Sequence, residues 1–342
     1  MALTPAAPPD APVRQRAGDG TLAGITRPIR RELARMERVM EEVAGRSGFL
    51  IRPMARHLLR GPGKRIRASL VLFSARAGRA DPREAARLAA AVEMLHTASL
   101  IHDDILDRAP VRRNQPSLHA RWGTHRALLM GDYLLAENFH SLASRFPLEV
   151  TRVLLEAARR ACEGEIEETG MAFRTDQSER RHLDVIARKT GALMAAACEA
   201  GAILGGARPA VRRSLRRYGR EFGVAFQLVD DALDFSGDAG LIGKPVGSDI
   251  GEGRFTMPVL CLRRILRGGE RRRFMRLLRP AALSNGGARE VIDLVRTRGG
   301  LACALERAGE RLDRALRALD GVPPVARAPL AALAAYALER RR

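Results

Sequence analysis

Aromatic residues are scarce in this 342-residue chain, at 4%, and it has only four cysteines. It also lacks any run of about 18 apolar residues, which argues against a membrane span. The first residues have no apolar core of the kind found in a secretory signal peptide, so we expect none. The cysteines are widely spaced without a CxxC pair: Cys162, Cys198, Cys261 and Cys303. We therefore expect neither a zinc site nor a disulfide framework, and a cytoplasmic location.

Lysine is rare too, although the chain is strongly basic. Lys and Arg total 59 against 39 for Asp and Glu, giving a formal net charge of +20, yet the lysines are only Lys64, Lys189 and Lys244. Two explanations stay open for the arginine excess: GC-rich coding, or a preference for anionic partners such as diphosphates. The shortage of aromatics argues against binding of single-stranded nucleic acid, and we expect no nucleic-acid partner.

The distribution of proline, glycine and apolar residues predicts one all-α domain. Residues 1–25 are rich in Pro, Ala and Gly and are predicted to form a disordered tail. Residues 26–342 show helical patterning divided by prolines, with no hairpin pattern. Within them, residues 88–102 carry a single charge, Glu93, and residues 222–229 carry none. Helices that are apolar on every face are buried, so we expect both to lie in the core.

Each predicted core helix runs into an acidic DDxxD motif. The first comprises Asp103, Asp104 and Asp107, and the second comprises Asp230, Asp231 and Asp234. Positions i and i+4 of a helix share a face, so the first and last aspartates of each motif point the same way. Like charges at the end of an apolar helix lose hydration and need compensation, either by protonation or by cations, and the cations are nearby arginines or divalent metal ions. The repeated spacing favours Mg²⁺ ions that bridge a diphosphate.

Basic residues flanked by glycine supply candidate phosphate sites. Residues 61–67 (GPGKRIR) form a Gly-rich turn predicted to lead into a helix, and residues 189–191 (KTG) are predicted to begin another. Helix N-termini and cations together bind phosphate. All three lysines fall in such places, and an ammonium group is a compact point charge that arginine does not replace.

The motifs resemble those of the trans-isoprenyl diphosphate synthases, the polyprenyl synthetase family, and in particular its medium- and long-chain all-E members. The resemblance rests on these segments: GKRIR, HTASLIHDDILDRAPVRRNQPSLH, GDYLLAENF, KTGALMAAACEAGAIL, FQLVDDALDF and GKPVGSDIGEGRFTMPVL. It implies the isoprenoid synthase fold, a helical bundle around a deep central cavity, and usually a homodimer. It also implies an Mg²⁺-dependent prenyltransferase that condenses isopentenyl diphosphate with an allylic diphosphate. A peripheral membrane contact would serve product release.

The resemblance also implies residue roles. Mg²⁺ ligands are Asp103, Asp104, Asp107, Asp230 and Asp234, with Asp231 as a further catalytic aspartate. Allylic diphosphate ligands are Arg112, Lys189, Thr190, Gln227, Lys244 and Arg254, and the two lysines are also catalytic. Isopentenyl diphosphate ligands are Lys64, Arg67, His96 and Arg113. The chain departs from the family pattern at Asn114, where Gly is usual, at Glu165, where Gln is common, and at Arg254, where many members have Lys.

Product length is read from the residues before the first motif. In the family these residues line the wall against which the product grows, and here they are the small Ala98 and Ser99. We therefore expect a product beyond C20. The alternatives are that Ala98 and Ser99 only allow close helix packing while Phe139 or another residue sets the limit, and that the enzyme makes a farnesyl or geranylgeranyl product.

Three other classes share part of this pattern. His102 and Asp103 spell the HD dyad of metal phosphohydrolases, but that reading leaves the second DDxxD unused. Terpene cyclases share the first motif but usually carry a different second one. An inactive or RNA-binding helical protein has only the charge in its favour. The remaining histidines are expected on the surface or in the core: His57, His119, His125, His140 and His182.

Overall fold

A computed structural model describes residues 21–59, 63–112, 115–236 and 247–339. In these ranges the chain is almost entirely helical, as predicted. The first half contains α1 (Leu22–Thr26), a 3₁₀ turn (Arg27–Ile29), α2 (Arg30–Arg46), α3 (Arg52–Leu59), α4 (Ile66–Ala75), α5 (Pro82–Leu106), β1 (Val111–Arg112), β2 (Gln115–Pro116), α6 (Leu118–Trp122), α7 (Thr124–Arg145) and α8 (Leu148–Thr169). The two short strands pair antiparallel, with Val111 opposite Pro116.

The second half continues the bundle. It contains α9 (Glu179–Ile186), a π turn (Ala187–Gly191), α10 (Ala192–Leu204), α11 (Pro209–Leu233), α12 (Ser248–Gly251), α13 (Met257–Ile265), α14 (Gly268–Leu277), α15 (Pro280–Ala282), a second π turn (Leu283–Gly287), α16 (Ala288–Thr297), α17 (Gly300–Ala318) and α18 (Pro324–Glu339). None of the helices described is long and apolar enough to cross a bilayer.

Helix α5 forms a central part of the core, as its sequence predicts. Asp81 caps its start by accepting a hydrogen bond from the Arg83 amide at 2.7 Å, and Pro82 suits the first helical turn. Side chains such as Leu88 and Val92 are fully buried. Glu93 is buried as well, and its carboxylate accepts a hydrogen bond from the Ala68 amide at 3.0 Å. Burial on all faces holds α5 rigidly, so its last turn carries the first aspartate motif at a fixed position.

Helix α11 holds the second motif in the same way. Phe222 and Tyr218 are buried, and the Tyr218 hydroxyl donates to the Leu330 carbonyl at 2.7 Å. Gly219 lies so close to α10 that a Cβ there would collide with the Met194 carbonyl. The absence of a side chain lets the two helices pack closely, which brings α11 beside the segment that precedes α10.

Two expectations from the sequence are wrong. Residues 189–191 do not begin a helix, because a π turn (Ala187–Gly191) makes α9 continuous with α10. Residues 189–191 therefore do not present the free amides of a helix start, and a contact between Lys189 and a phosphate would come from its side chain. The expected lack of disulfides is also wrong: Cys261 on α13 and Cys303 on α17 are bonded, because those helices pack together.

The disordered tail was expected to comprise residues 1–25. Residues 1–20 lie outside the described residues, whereas Leu22–Thr26 forms helix α1.

Candidate active site

A cavity of about 820 Å³ lies among residues 63–65, strand β1, helices α4, α5, α7, α8, α10 and α11, and the π turn that contains Lys189. Residues 61 and 62 of the predicted Gly-rich turn lie outside the described residues. Most of the residues predicted to bind diphosphates or metal line its wall: Lys64, Arg67, His96, Asp103, Arg112, Lys189, Thr190, Gln227 and Asp230. One face thus carries two aspartates from different motifs among several cations. Arg113 and Lys244 lie outside the described residues, and the remaining predicted residues sit behind or beside the wall.

Asp103 is the member of the first motif that faces the cavity. It lies in the last turn of α5, where burial raises the pKa of its carboxyl from the ordinary 3.8 to about 7. Lys189 and Arg112 pull that pKa down, whereas Glu165 and Asp107 push it up. Burial outweighs the attraction of the nearby cations, so the ionised carboxylate at this position would be stabilised by further positive charge.

The other two aspartates of the first motif form ion pairs with arginines. Arg112 lies 2.5 Å from Asp104, which is buried, and Arg254 lies 2.8 Å from Asp107. Arg254 also contacts Asp249 at 3.3 Å and forms an ion pair with Glu252. Arginine is therefore the compensating cation for these two carboxylates. Arg254 joins the first motif to the loop that follows the second, although it does not line the cavity.

In the second motif Asp230 is half-buried, whereas Asp231 and Asp234 are buried. Asp230 lines the cavity. Asp234 is buried and accepts hydrogen bonds from the Ser248 hydroxyl at 3.1 Å and the Asp249 amide at 3.3 Å, while burial raises the pKa of its carboxyl. These bonds fasten the start of α12 to the end of α11.

Asp231 belongs to a chain of hydrogen bonds that ends at the cavity. His182, buried on α9, has Nε2 3.1 Å from Asp231 Oδ2. Gln227 donates to the other oxygen of Asp231 at 3.0 Å, and the Thr190 hydroxyl donates to Gln227 at 2.8 Å. The chain fixes the Gln227 amide with its oxygen towards Thr190. His182 is a core residue, as expected, but its part in this network was not predicted; no local sequence signal marks it.

Lys189 is held by two glutamates of α8, which sequence reasoning also missed. Its Nζ lies 2.5 Å from Glu165 Oε2 and 2.6 Å from Glu168 Oε2. Burial lowers the Lys189 pKa, but the carboxylates of Glu168, Asp103 and Glu165 together raise it above its ordinary value, so the lysine stays charged. The acidic run CEGEIEE on α8 was the available signal.

The residues proposed to set product length occupy different positions. Ser99 lines the cavity, whereas Ala98 is fully buried and is not part of the wall. Phe139, the alternative, is 37% exposed and does not line the cavity. Apolar and small side chains cover much of the remaining wall: Leu95, Leu100, Leu135, Ala157, Ala158, Ala161, Leu193 and Phe226.

The donor set suits a hard divalent cation. Across the described ranges, no three His, Cys, Asp or Glu side chains are grouped closely enough to hold a metal ion by themselves. Mg²⁺ does not require such a group, since it usually takes one or two carboxylates and completes its shell with water and phosphate. Asp103 and Asp230 offer such oxygens at the cavity, and the raised pKa of Asp103 marks where positive charge would be favourable.

Comparison with known proteins decides the class. The profile of the family described as polyprenyl synthetase matches residues 49–295. The chain belongs to the polyprenyl synthetase family. An all-trans-nonaprenyl-diphosphate synthase (geranyl-diphosphate specific) of Rhodobacter capsulatus is 34% identical over 87% of this chain and 91% of that protein. A short chain isoprenyl diphosphate synthase of Methanothermobacter thermautotrophicus is 41% identical over 66% of this chain and 70% of its own length.

Solved structures support the same family membership. The polyprenyl synthase of Caulobacter crescentus, crystallised with calcium and isoprenyl diphosphate, has a TM-score of 0.87 and 33% identity, covering 96% of this chain and all of that one. Like its relatives in the polyprenyl synthetase family, the chain is a prenyltransferase with the isoprenoid synthase fold, and isopentenyl and allylic diphosphates are substrates that fit this family. The phosphohydrolase and RNA-binding alternatives are thereby set aside.

Proposed function

We propose that the chain is an Mg²⁺-dependent synthase that condenses isopentenyl diphosphate with an allylic diphosphate, giving an all-trans polyprenyl diphosphate beyond C20 and pyrophosphate. The observation that carries the proposal is that aspartates of both DDxxD motifs, Asp103 and Asp230, line one cavity together with Lys189 and Arg112. Mixed acidic and basic groups of this kind hold a diphosphate through both direct cation contacts and shared metal ions.

In this mechanism the protein stabilises the charge that develops on a leaving diphosphate. Lys189 and Arg112 line the cavity, and Thr190 and Gln227 are oriented by the hydrogen-bond network behind them. Mg²⁺ held by Asp103 and Asp230 would supply further positive charge to the same oxygens. The C–O bond of the allylic diphosphate breaks as its electron pair goes to the leaving group, which is the step that preorganised cations favour.

The second substrate is placed by a separate group of basic residues. Three of these residues line the cavity: Lys64 just before α4, Arg67 on α4 and His96 on α5. His96 precedes Asp103 by seven residues on the same helix, which separates them by about 10 Å along α5. A diphosphate there leaves the double bond of isopentenyl diphosphate free to attack the allylic carbon. A proton is then lost from the new intermediate, and the released pyrophosphate is the base that accepts it.

The wall of the cavity suits a growing apolar chain. Leu95, Leu135 and Phe226 exclude water that would otherwise quench an allylic cation. Small residues, Ser99 and Ala161 among them, leave room beside these apolar groups, which supports a product beyond C20. The alternative is a short-chain product, favoured by the similarity to a short chain isoprenyl diphosphate synthase. The homodimer, the peripheral membrane contact and the cytoplasmic location stay predictions.

One assay tests the activity, its metal dependence and its product together. Labelled isopentenyl diphosphate is incubated with C5, C10, C15 or C20 allylic primers, with Mg²⁺ or with EDTA, and product lengths are measured by chromatography. We expect Mg²⁺-dependent products beyond C20. Absence of transfer from every primer would contradict the proposed activity. Products of C20 or shorter would favour the short-chain alternative, and equal turnover in EDTA would contradict the metal dependence.

A pair of variants tests the aspartates. Asp230→Asn is expected to lower kcat by about 100-fold or more while the circular dichroism spectrum is unchanged. Asp293→Asn, at an exposed position on α16, is the matched control and should retain wild-type turnover. Near-normal turnover by Asp230→Asn would exclude a role for this carboxylate.

A further inference from the structure

Lys189 is enclosed by carboxylates before any substrate arrives. Glu165 and Glu168, which lie three residues apart on one face of α8, both form short ion pairs with its Nζ. The backbone of α8 packs closely against the π turn at this point, because a Cβ at Gly164 would lie 2.7 Å from the Lys189 amide nitrogen. The absence of a side chain at Gly164 lets α8 approach the π turn closely enough for the two glutamates to reach the lysine.

The two glutamates differ in their access to substrate. Glu165 lines the cavity with Lys189, whereas Glu168 does not. All three side chains are only 19 to 25% exposed, so water screens their charges less than on an open surface. Two carboxylates on one ammonium group leave the cluster with a net negative charge. A diphosphate that approaches Lys189 from the cavity therefore meets the Glu165 carboxylate on the same side.

We propose that Glu165 competes with the incoming diphosphate for Lys189 and so keeps the affinity for diphosphates low, while Glu168 holds Lys189 at the cavity wall. Glu165 is thus a positioning residue that acts through the lysine. The inference deepens the proposed function and rests on it for the identity of the substrate. Its consequence is weaker binding of both the allylic substrate and the released pyrophosphate, which favours departure of the leaving group from the site.

Glu165→Gln tests this proposal, because it removes the charge and keeps the shape. Inorganic pyrophosphate binding is measured by calorimetry in Mg²⁺ buffer, and KM and kcat are measured with an allylic primer. The expected result is about five-fold tighter pyrophosphate binding and a KM for the allylic diphosphate lower by about the same factor, the size of a contact between partly buried charges. Unchanged or weaker pyrophosphate binding would overturn the proposal, since a merely structural role gives no gain in affinity.

Matched variants isolate the route of the effect. Glu163→Gln lies on the same helix, with an exposed side chain paired to Arg159, and should change neither affinity nor KM. Glu165→Ala should shift pyrophosphate binding in the same direction as Glu165→Gln. In a Lys189→Met background Glu165→Gln should give no gain; an equal gain there would show direct repulsion and overturn the role through the lysine.

Failure of the proposed function gives a different result. A protein that transfers no prenyl group from any primer, yet binds pyrophosphate more tightly as Glu165→Gln, would refute the prenyl-transfer proposal and support the competition for Lys189.

Discussion

Replacing Asp103 with asparagine is expected to stabilise the metal-free protein, and to do so increasingly as the pH rises. Burial raises the pKa of this carboxyl from 3.8 to about 7, so the folded protein keeps a proton on Asp103 in a range where the unfolded chain has lost it. The contribution of Asp103 to the stability of the folded protein is therefore fully present below about pH 4 and falls as the pH rises towards 7. Asparagine does not titrate, so the variant lacks this loss.

The size of the effect follows from the two pKa values. One pKa unit corresponds to about 1.36 kcal/mol, so the full displacement from 3.8 to about 7 amounts to about 4 kcal/mol. Between pH 5 and pH 7 the variant should gain about 2 kcal/mol of unfolding free energy relative to the wild type. Contributions of titrating groups that do not interact with Asp103 are common to both proteins and cancel in the difference.

Urea unfolding of both proteins at pH 5, 6 and 7 in EDTA measures this difference. Added Mg²⁺ at pH 7 should reduce it, because a bound cation stabilises the ionised carboxylate of the wild type. A stability difference that is the same at all three pH values would refute the assignment of a raised pKa to Asp103. A difference that grows with pH but does not respond to Mg²⁺ would leave the burial argument standing and contradict metal binding at this residue.

Three further substitutions test other parts of the site. Ser99→Phe narrows the cavity wall, so chromatography should show shorter products than the wild type makes; an unchanged product would place the limit elsewhere. Arg254→Met removes the ion pairs with Asp107, Asp249 and Glu252, and urea unfolding should show a loss of about 1–3 kcal/mol. Wild-type stability would mean that these ion pairs contribute nothing. His182→Phe removes the hydrogen bond to Asp231, so KM for the allylic diphosphate should rise while KM for isopentenyl diphosphate stays constant. His182→Gln should recover part of the lost affinity for the allylic diphosphate. A rise in both KM values would indicate general damage to the fold.

Local patterns in the sequence were sufficient to predict the architecture and the main acidic residues. Residues 88–102 of α5 carry a single charge and residues 222–229 of α11 carry none, and each stretch is followed directly by aspartates, so the burial of these stretches and the positions of the motifs follow from the local sequence. The basic residues Lys64 and Arg67, which lie just before α4 and in its first turn, are marked in the same local way. These features depend on neighbours along the chain, which is why no knowledge of tertiary structure was needed.

Contacts between distant residues could not be predicted in this way. Arg254 and Asp107 are 147 residues apart, and Cys261 and Cys303 are separated by 42, so both pairs depend on how helices pack. The π turn that contains Lys189 was mistaken for a helix start because helix propensity does not distinguish an α-helical from a π-helical continuation.

A crystal structure with Mg²⁺ and pyrophosphate tests the central claim most directly. The account predicts pyrophosphate in the cavity beside Lys189, with metal ions between it and the carboxylates of Asp103 and Asp230. Pyrophosphate bound away from both motifs, or bound there by arginine and lysine alone with no metal at the aspartates, would contradict it.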